Sequence, residues 1–338
     1  MEAVRPVPVS RVWARSKIIA ENLTGDDLGD VLELHSDASA WWVLPRDDDY
    51  AAAELRELAK ALDLDHLAVT DLLAVDRRAK FESIGAARLV ITNAVTLDRD
   101  SVTLTVHPIS IIATERALIC FVSPTKGFGP AQLLLQKEAA LAEGGVEVAL
   151  QLVLTAVINT YENALQFLED SSDELADALF EERPLNKDEQ LHAFRLRSCL
   201  SQLRRLCDPM RAVMSDIVQN PPVGPKGKST RTAIVSRRWN MISEQENRVA
   251  NAADALREAL ASVFDTSLAL ADTRLNQTMK KLTGWAAIIA VPTLVTSFVG
   301  MNVGFPLSGT VVGFWVYLAL MVVSGLILYL LFRRKDWV

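Results

Sequence analysis

The segment Leu282–Phe332 reads LTGWAAIIAVPTLVTSFVGMNVGFPLSGTVVGFWVYLALMVVSGLILYLLF, 51 consecutive residues without an Asp, Glu, Lys or Arg. The 338-residue chain is 23% charged, so a stretch of that length at the average would carry about a dozen charges. This rules out a purely soluble protein. The segment divides into Leu282–Val299 and Val311–Phe332, of 18 and 22 residues, joined by the short turn Gly300–Thr310. About 20 residues suffice to cross a bilayer as a helix. Lys280 and Lys281 precede the first span, Arg333, Arg334 and Lys335 follow the second, and the turn is uncharged. The positive-inside rule therefore predicts both termini in the cytosol and the turn outside. Trp315 and Tyr317 suit the outer interface, and Trp285, Tyr329 and Trp337 the inner one.

Charge outside the segment is uneven. Of 35 basic and 42 acidic residues, five and one fall in residues 280–338, leaving 30 and 41 in residues 1–279, balances of +4 and −11. An acidic body is joined to a basic-edged membrane tail. Nucleic acid is excluded as a partner, because its binding needs clustered Lys and Arg, whereas cations are admitted. Cys120, Cys199 and Cys207 form no disulfide framework and read as reduced, buried residues of a cytosolic setting. Met1–Leu23 mixes charges with Pro6 and Pro8 and predicts no cleaved export signal.

Residues 1–143 alternate short elements. Trp41–Leu44, Val90–Leu97, Val102–Val106 and Ala117–Val122 read as strands of one sheet, and Ala51–Leu62 and Leu67–Val75 as helices, which together predict an α/β domain. Residues 144–281 turn to helical periodicity. One helix is expected from Val146 to about Glu182 and a second from Lys187 to about Gln219. A third, from about Thr232, meets no proline until Pro292. The expected architecture is an α+β membrane protein. It comprises a cytosolic α/β domain (1–143), a long-helix stalk (144–281), a first transmembrane helix (282–299), an outer loop (300–310), a second transmembrane helix (311–332) and a basic cytosolic tail (333–338).

Two helices cannot enclose a path for a polar solute, so conduction would require an oligomer. The first span offers a suitable face. Ala286, Ala290, Thr293 and Ser297 follow at spacings of 4, 3 and 4, within about 60° on a helical wheel. The same stripe extends back through Leu282, Met279, Asp272 and Asp265 and forward to Gly300. A packing seam of small residues between membrane helices has the same pattern. Gly224-Pro225-Lys226-Gly227-Lys228-Ser229 has two residues between its glycines where a phosphate loop has four, and no strand precedes it. His35, His66, His107 and His192 are dispersed and make no zinc motif, and no nucleophile, base and orienting group cluster, so no enzyme and no nucleotide or organic cofactor is expected.

Gly300-Met301-Asn302, at the outer end of the first of two C-terminal spans, resembles the signature of the CorA family of divalent metal-ion transporters. The resemblance continues through Arg274–Thr283, in the basic end Arg333-Arg334-Lys335-Asp336-Trp337, and more thinly in the run from His66 through Asp71 to Lys80. It implies a homopentameric funnel in the inner membrane, with five copies of the first span lining one pore and a ring of Asn302 amides at its outer mouth. Neutral amide oxygens can hold the water shell of Mg²⁺ without trapping the ion. Gly300 is expected to let the backbone turn there. By the same resemblance Thr293 is a polar coordination point, Leu282 an apolar constriction and Asn276 an amide at the cytosolic end of a pore that Ala286, Ala290 and Ser297 also line. Asp71 and Asp265 become a regulatory pair, where cytosolic Mg²⁺ bridges neighbouring subunits and holds the pore closed.

Two departures stand out. Val303-Gly304-Phe305-Pro306-Leu307 carries no acid where the family usually has one, and Ala290 replaces a larger apolar side chain. Both lean toward divergent branches that include zinc transporters, whereas Met301 favours Mg²⁺. The expected cargo is Mg²⁺, with Co²⁺ and Ni²⁺, entering down its gradient. The alternatives are zinc movement coupled to protons, and a membrane-anchored metal sensor or scaffold that conducts nothing.

Overall fold

The computed structural model describes residues 9–46, 49–73, 78–123, 128–181, 183–221, 230–301, 304, 306–307, 309–335 and 337. It divides into two compact units, Met1–Leu175 with Lys187–Ala261, and Ala176–Asn186 with Ser262–Val338.

In chain order the first elements are β1 (Val9–Ala14), β2 (Lys17–Glu21), α1 (Gly25–Leu34), β3 (Ser39–Pro45), α2 (Asp49–Ala61) and α3 (His66–Leu73). They are followed by β4 (Lys80–Ile84), β5 (Ala87–Asp98), β6 (Thr103–Ala113), β7 (Ala117–Val122) and α4 (Pro130–Gln136). The strands form one sheet of order β2-β1-β3-β7-β6-β5-β4, antiparallel throughout except for the parallel pair β3–β7.

Consecutive side chains of a strand point to opposite faces, and Trp41 and Trp42 on β3 are both 1% exposed, so both faces of the sheet are covered. Trp42 shares a core with Leu28 and Leu32 of α1, Leu55 and Leu58 of α2, and Leu72 of α3. Each such leucine contributes about 1.5–3 kcal/mol by leaving water. Gly25 lets α1 start against α2, since a Cβ there would lie 2.6 Å from the Glu54 carbonyl oxygen. On the other face Trp41 tilts against Trp13 with ring centroids 6.3 Å apart.

Three long helices follow: α5 (Glu138–Phe180), α6 (Lys187–Gln219) and α7 (Thr230–Val299). α5 breaks at Gly145, whose φ of 63° and ψ of −151° suit glycine almost alone; the helical periodicity accordingly begins at Val146. α5 and α6 cover the second face of the sheet. The Tyr161 hydroxyl donates to the Asn93 carbonyl, Thr160 Oγ1 accepts from Val95 N at 3.1 Å, and Thr92 Oγ1 donates to Met210 Sδ at 3.3 Å. α7 packs on both helices: Trp239 Nε1 donates to Glu147 of α5, and Arg204 Nε lies 2.6 Å from Asp254 Oδ1. The last helix is α8 (Val311–Arg334).

The structure adds elements at the N-terminal side that periodicity missed. β2 is an edge strand with almost every residue exposed, so it has no apolar alternation to read, and α1 is a ten-residue helix. β6 also runs seven residues past Val106, through Pro108. Proline is tolerated there because β7 pairs with β6 only from Ile109 onward, leaving that flank of the strand open at Pro108.

Candidate functional site

In the second unit the apolar end of α7 packs against α8. On α8 Tyr317, Met321, Ser324, Gly325 and Leu328 are half-buried along one side, with Gly313 covered by Leu307 of the turn. Gly325 faces Pro292: a Cβ there would lie 3.8 Å from Pro292 Cγ, an ordinary contact, so the two helices meet at this point. On α7 buried Gly284 and half-buried Val291, Pro292, Val295 and Val299 form one face. At about 100° per residue this face is centred about half a turn from Ala286, Ala290, Thr293 and Ser297, all of which are exposed. The hairpin therefore uses one side of α7 and leaves the stripe on the other. Leu282, Asn276 and Gly300 are exposed as well.

The hydroxyls of this stretch are turned inward chemically though they face outward. Thr293 Oγ1 donates to the Ile289 carbonyl at 2.8 Å and Thr296 Oγ1 to the Thr293 carbonyl at 2.8 Å. With its proton committed to the backbone, each oxygen presents only lone pairs outward, the arrangement that suits a cation or its water shell.

α7 ends with Gly300 N donating to the Thr296 carbonyl at 2.8 Å and Met301 N to the Phe298 carbonyl at 3.3 Å. Gly300 does not adopt a left-handed backbone; among the described residues the turn's left-handed positions are Leu307, φ 62°, and Gly309, φ 73°. α8 starts at a Thr310 cap whose Oγ1 accepts from Gly313 N at 3.1 Å. Asn302, Val303 and Phe305 lie outside the described residues, as does the stretch Gly224–Ser229.

Asp71 and Asp265 belong to different units. Asp265 is exposed on α7. Asp71, near the end of α3, has a partner: Lys80 Nζ lies 3.0 Å from its Oδ2 and 3.4 Å from Glu82 Oε1. Burial works against the Lys80 charge, but the hydrogen bond to Asp71 and the Glu82 carboxylate outweigh it and raise its pKa above 10.5. Among the described residues no three of His, Cys, Asp and Glu come together as a metal-holding group. Two roles escaped the sequence reading. Lys80 stands there only as the end of the run from His66, and its pairing with Asp71 carries no signal, since a separate strand brings the two together. Glu246 of α7, 0% exposed, could have been found, because it falls in the three-and-four spacing of the buried apolar positions Ile242, Val249 and Ala253.

Three described helices, Glu138–Leu179, Ala233–Val299 and Val311–Arg334, are long and apolar enough to cross a membrane. The first buries 61% of its apolar window inside the protein, the other two 6% each. The model of the CorA-like Mg²⁺ transporter protein family matches residues 38–334. The chain belongs to this family. It is 27% identical over 216 residues to the cobalt/magnesium transport protein CorA of Methanocaldococcus jannaschii, a match that covers 60% of this chain and 62% of that protein. The chain thus spans less than two thirds of that relative's length. To the protein of the same name from Thermotoga maritima it is 23% identical over 275 residues, covering 80% of this chain and 76% of that one. The complete structure of the Methanocaldococcus jannaschii CorA magnesium transporter superposes with a TM-score of 0.75 at 21% identity, over 99% of this chain and 100% of that one. The CorA fold, a soluble α/β part with long helices, is therefore shared.

Proposed function

We propose that the chain is an influx channel for divalent cations, Mg²⁺ foremost with Co²⁺ and Ni²⁺, built as a homopentamer in the inner membrane with both termini in the cytosol. The observation that carries this reading is the free stripe of α7. A hairpin that packs on one side of its first helix leaves the opposite side for other copies of itself. Cyclic symmetry would bring that same face of every copy to one axis. The stripe is small at Ala286 and Ala290, offers hydroxyl lone pairs at Thr293, and is uncharged from Leu282 onward. Such a lining passes a hydrated ion without holding it.

In this reading Leu282 is the apolar constriction, Ser297 continues the lining, Asn276 is the amide at the cytosolic end, and the Gly300-Met301-Asn302 amide ring selects at the outer mouth. An inside-negative potential supplies about 4.6 kcal/mol per divalent ion per 100 mV, so no nucleotide is required. The relatives' description as cobalt/magnesium transport proteins supports the cargo. Asp71 and Asp265 are the proposed regulatory pair. Asp71 and Glu82 already converge on one positive charge, the Lys80 ammonium, so this place is built for a cation, and a divalent ion would enter it by displacing Lys80.

The test is influx of Mg²⁺, Co²⁺, Ni²⁺ and Zn²⁺ into proteoliposomes, for the natural chain and Asn302→Ala. The proposal expects Mg²⁺ influx that Asn302→Ala reduces or makes unselective. Zinc influx that appears only with an imposed proton gradient would assign the chain to zinc instead. Vesicles sealed to all four ions would make it a non-conducting sensor or scaffold.

A further inference from the structure

Along the cytosol-side half of α7 the buried positions Trp239, Ile242, Glu246, Val249, Ala253 and Leu256 alternate in steps of three and four, the spacing of an interhelical seam. Five of the six are apolar. The exception, Glu246, is 0% exposed. Arg211 of α6 lies opposite Glu246 and Asn251, and Arg204 opposite Asp254, so the two helices run antiparallel with Glu246 between them.

Among the described residues neither oxygen of the Glu246 carboxyl has a hydrogen-bond partner. Arg211 Nε stands 4.0 Å from Glu246 Oε2, beyond hydrogen-bond reach, and its Nη2 donates to Asn251 Oδ1 at 3.1 Å. The titratable groups that act on this position are Tyr161 from α5 and Cys207, Asp208 and Arg211 from α6. Tyr161 spends its hydroxyl proton on the Asn93 carbonyl. Asp254, further along α7, is paired with Arg204 at 2.6 Å. An ionised carboxylate in this seam gives up its hydration with no hydrogen bond in return, whereas a protonated acid gives up far less.

We propose that Glu246 is a proton-binding site on α7: the three-helix bundle closes around the protonated acid, and a shift of α7 against α6 that readmits water releases the proton. Burial pushes this carboxyl up to about 7, with the Arg211 charge opposing and Asp208 adding to the rise. The folded chain therefore holds more protons than the unfolded one between the ordinary 4.5 and about 7. Its added stability is complete in acid and is lost as pH rises through that window. α7 continues as one helix to Val299, so the proton and the placement of α7 bias each other reciprocally. Proton binding at Glu246 does not depend on ion flux.

The experiment compares the full-length chain in detergent micelles with Glu246→Gln, a neutral isostere of the protonated acid, between about pH 5 and about pH 8. On alkalinisation the unfolding midpoint of the natural chain should fall more than that of Glu246→Gln, by an amount equivalent to about a hundredfold in the unfolding equilibrium. Infrared difference spectra of the natural chain should show a carboxylic-acid carbonyl band that disappears near neutral pH and that Glu246→Gln lacks. Equal pH dependence of the two midpoints overturns the proposal. Should Glu246→Gln fail to fold, the natural chain decides alone: a spectrum with no acid band persisting above the ordinary glutamate range overturns it equally.

Discussion

The Lys80 ammonium bridges two carboxylates, lying 3.0 Å from Asp71 Oδ2 and 3.4 Å from Glu82 Oε1. A divalent ion that seeks Asp71 must compete with this tethered cation. The raised Lys80 pKa means that its charge, and the competition, is fully present throughout the neutral range and fades only above 10.5. A partly exposed pair of this kind is worth up to about 1 kcal/mol, or about fivefold in binding. In Lys80→Ala the Mg²⁺ concentration that half-protects the full-length chain from protease should fall by about that factor, and in Lys80→Ala with Asp71→Ala it should not fall. An unchanged half-protecting concentration in the single variant would separate Asp71 from ion sensing.

Two glycines hold the first unit in shape. Gly145→Ala forces a side chain into φ 63°, ψ −151°, and Gly25→Ala drives a Cβ to 2.6 Å from the Glu54 carbonyl oxygen. Each should cost about 1–3 kcal/mol, read as a lower denaturation midpoint of the full-length chain. Gly85→Ala is a useful comparison. Its φ of 58° carries backbone strain alone, with nothing within 4 Å of the added methyl, so its loss should be the smallest of the three.

Much of this was legible in the sequence because it rests on periodicity. β7 at Ala117–Val122 and α6 at Lys187–Gln219 coincide with their expected bounds, since each is a strongly patterned run between clear breakers. The stripe Ala286, Ala290, Thr293 and Ser297 was visible as spacing, but spacing cannot say which side of α7 a partner takes. The structure adds that α8 meets α7 on the opposite side, where Pro292 faces Gly325 and Gly284, Val291 and Val295 are covered or half-covered. Pairings between elements were out of reach. Lys80 and Asp71 meet only because α3 and β4 are packed by the sheet, and Arg211 meets Glu246 only through helix packing. β1 and β2 lacked the alternation that buried strands display.

Cys120 and Cys207 are buried, and burial pushes each thiol up to about 12; Cys199 rises to about 11 for the same reason. All three are free. Almost no thiolate forms at neutral pH, so a maleimide should leave the native chain unmodified and label all three after denaturation, as counted by intact mass. Rapid labelling of the native chain would show that the packing around α6, or around β7 where Cys120 lies, opens readily.

Ala290→Leu places a bulky side chain on the free stripe, away from the α7–α8 seam. Mg²⁺ influx should fall at least about tenfold, because a constriction raises the barrier for an ion that keeps its waters, while the denaturation midpoint stays within about 0.5 kcal/mol of natural. Gly325→Leu enters the seam beside Pro292 and should lower the midpoint by about 1–3 kcal/mol. The reverse pattern, with Ala290→Leu unstable and fully conducting, would make the stripe a packing surface.

The most direct measurement exploits the buried native thiols. Ser297→Cys puts a reactive group on the free stripe and Val295→Cys puts one on the face toward α8. Proteoliposomes are treated from outside with a membrane-impermeant cationic thiosulfonate, and Mg²⁺ influx is then followed. The account predicts that the reagent stops influx through Ser297→Cys and leaves Val295→Cys conducting. Full conduction through Ser297→Cys after its labelling has been verified by mass would contradict it.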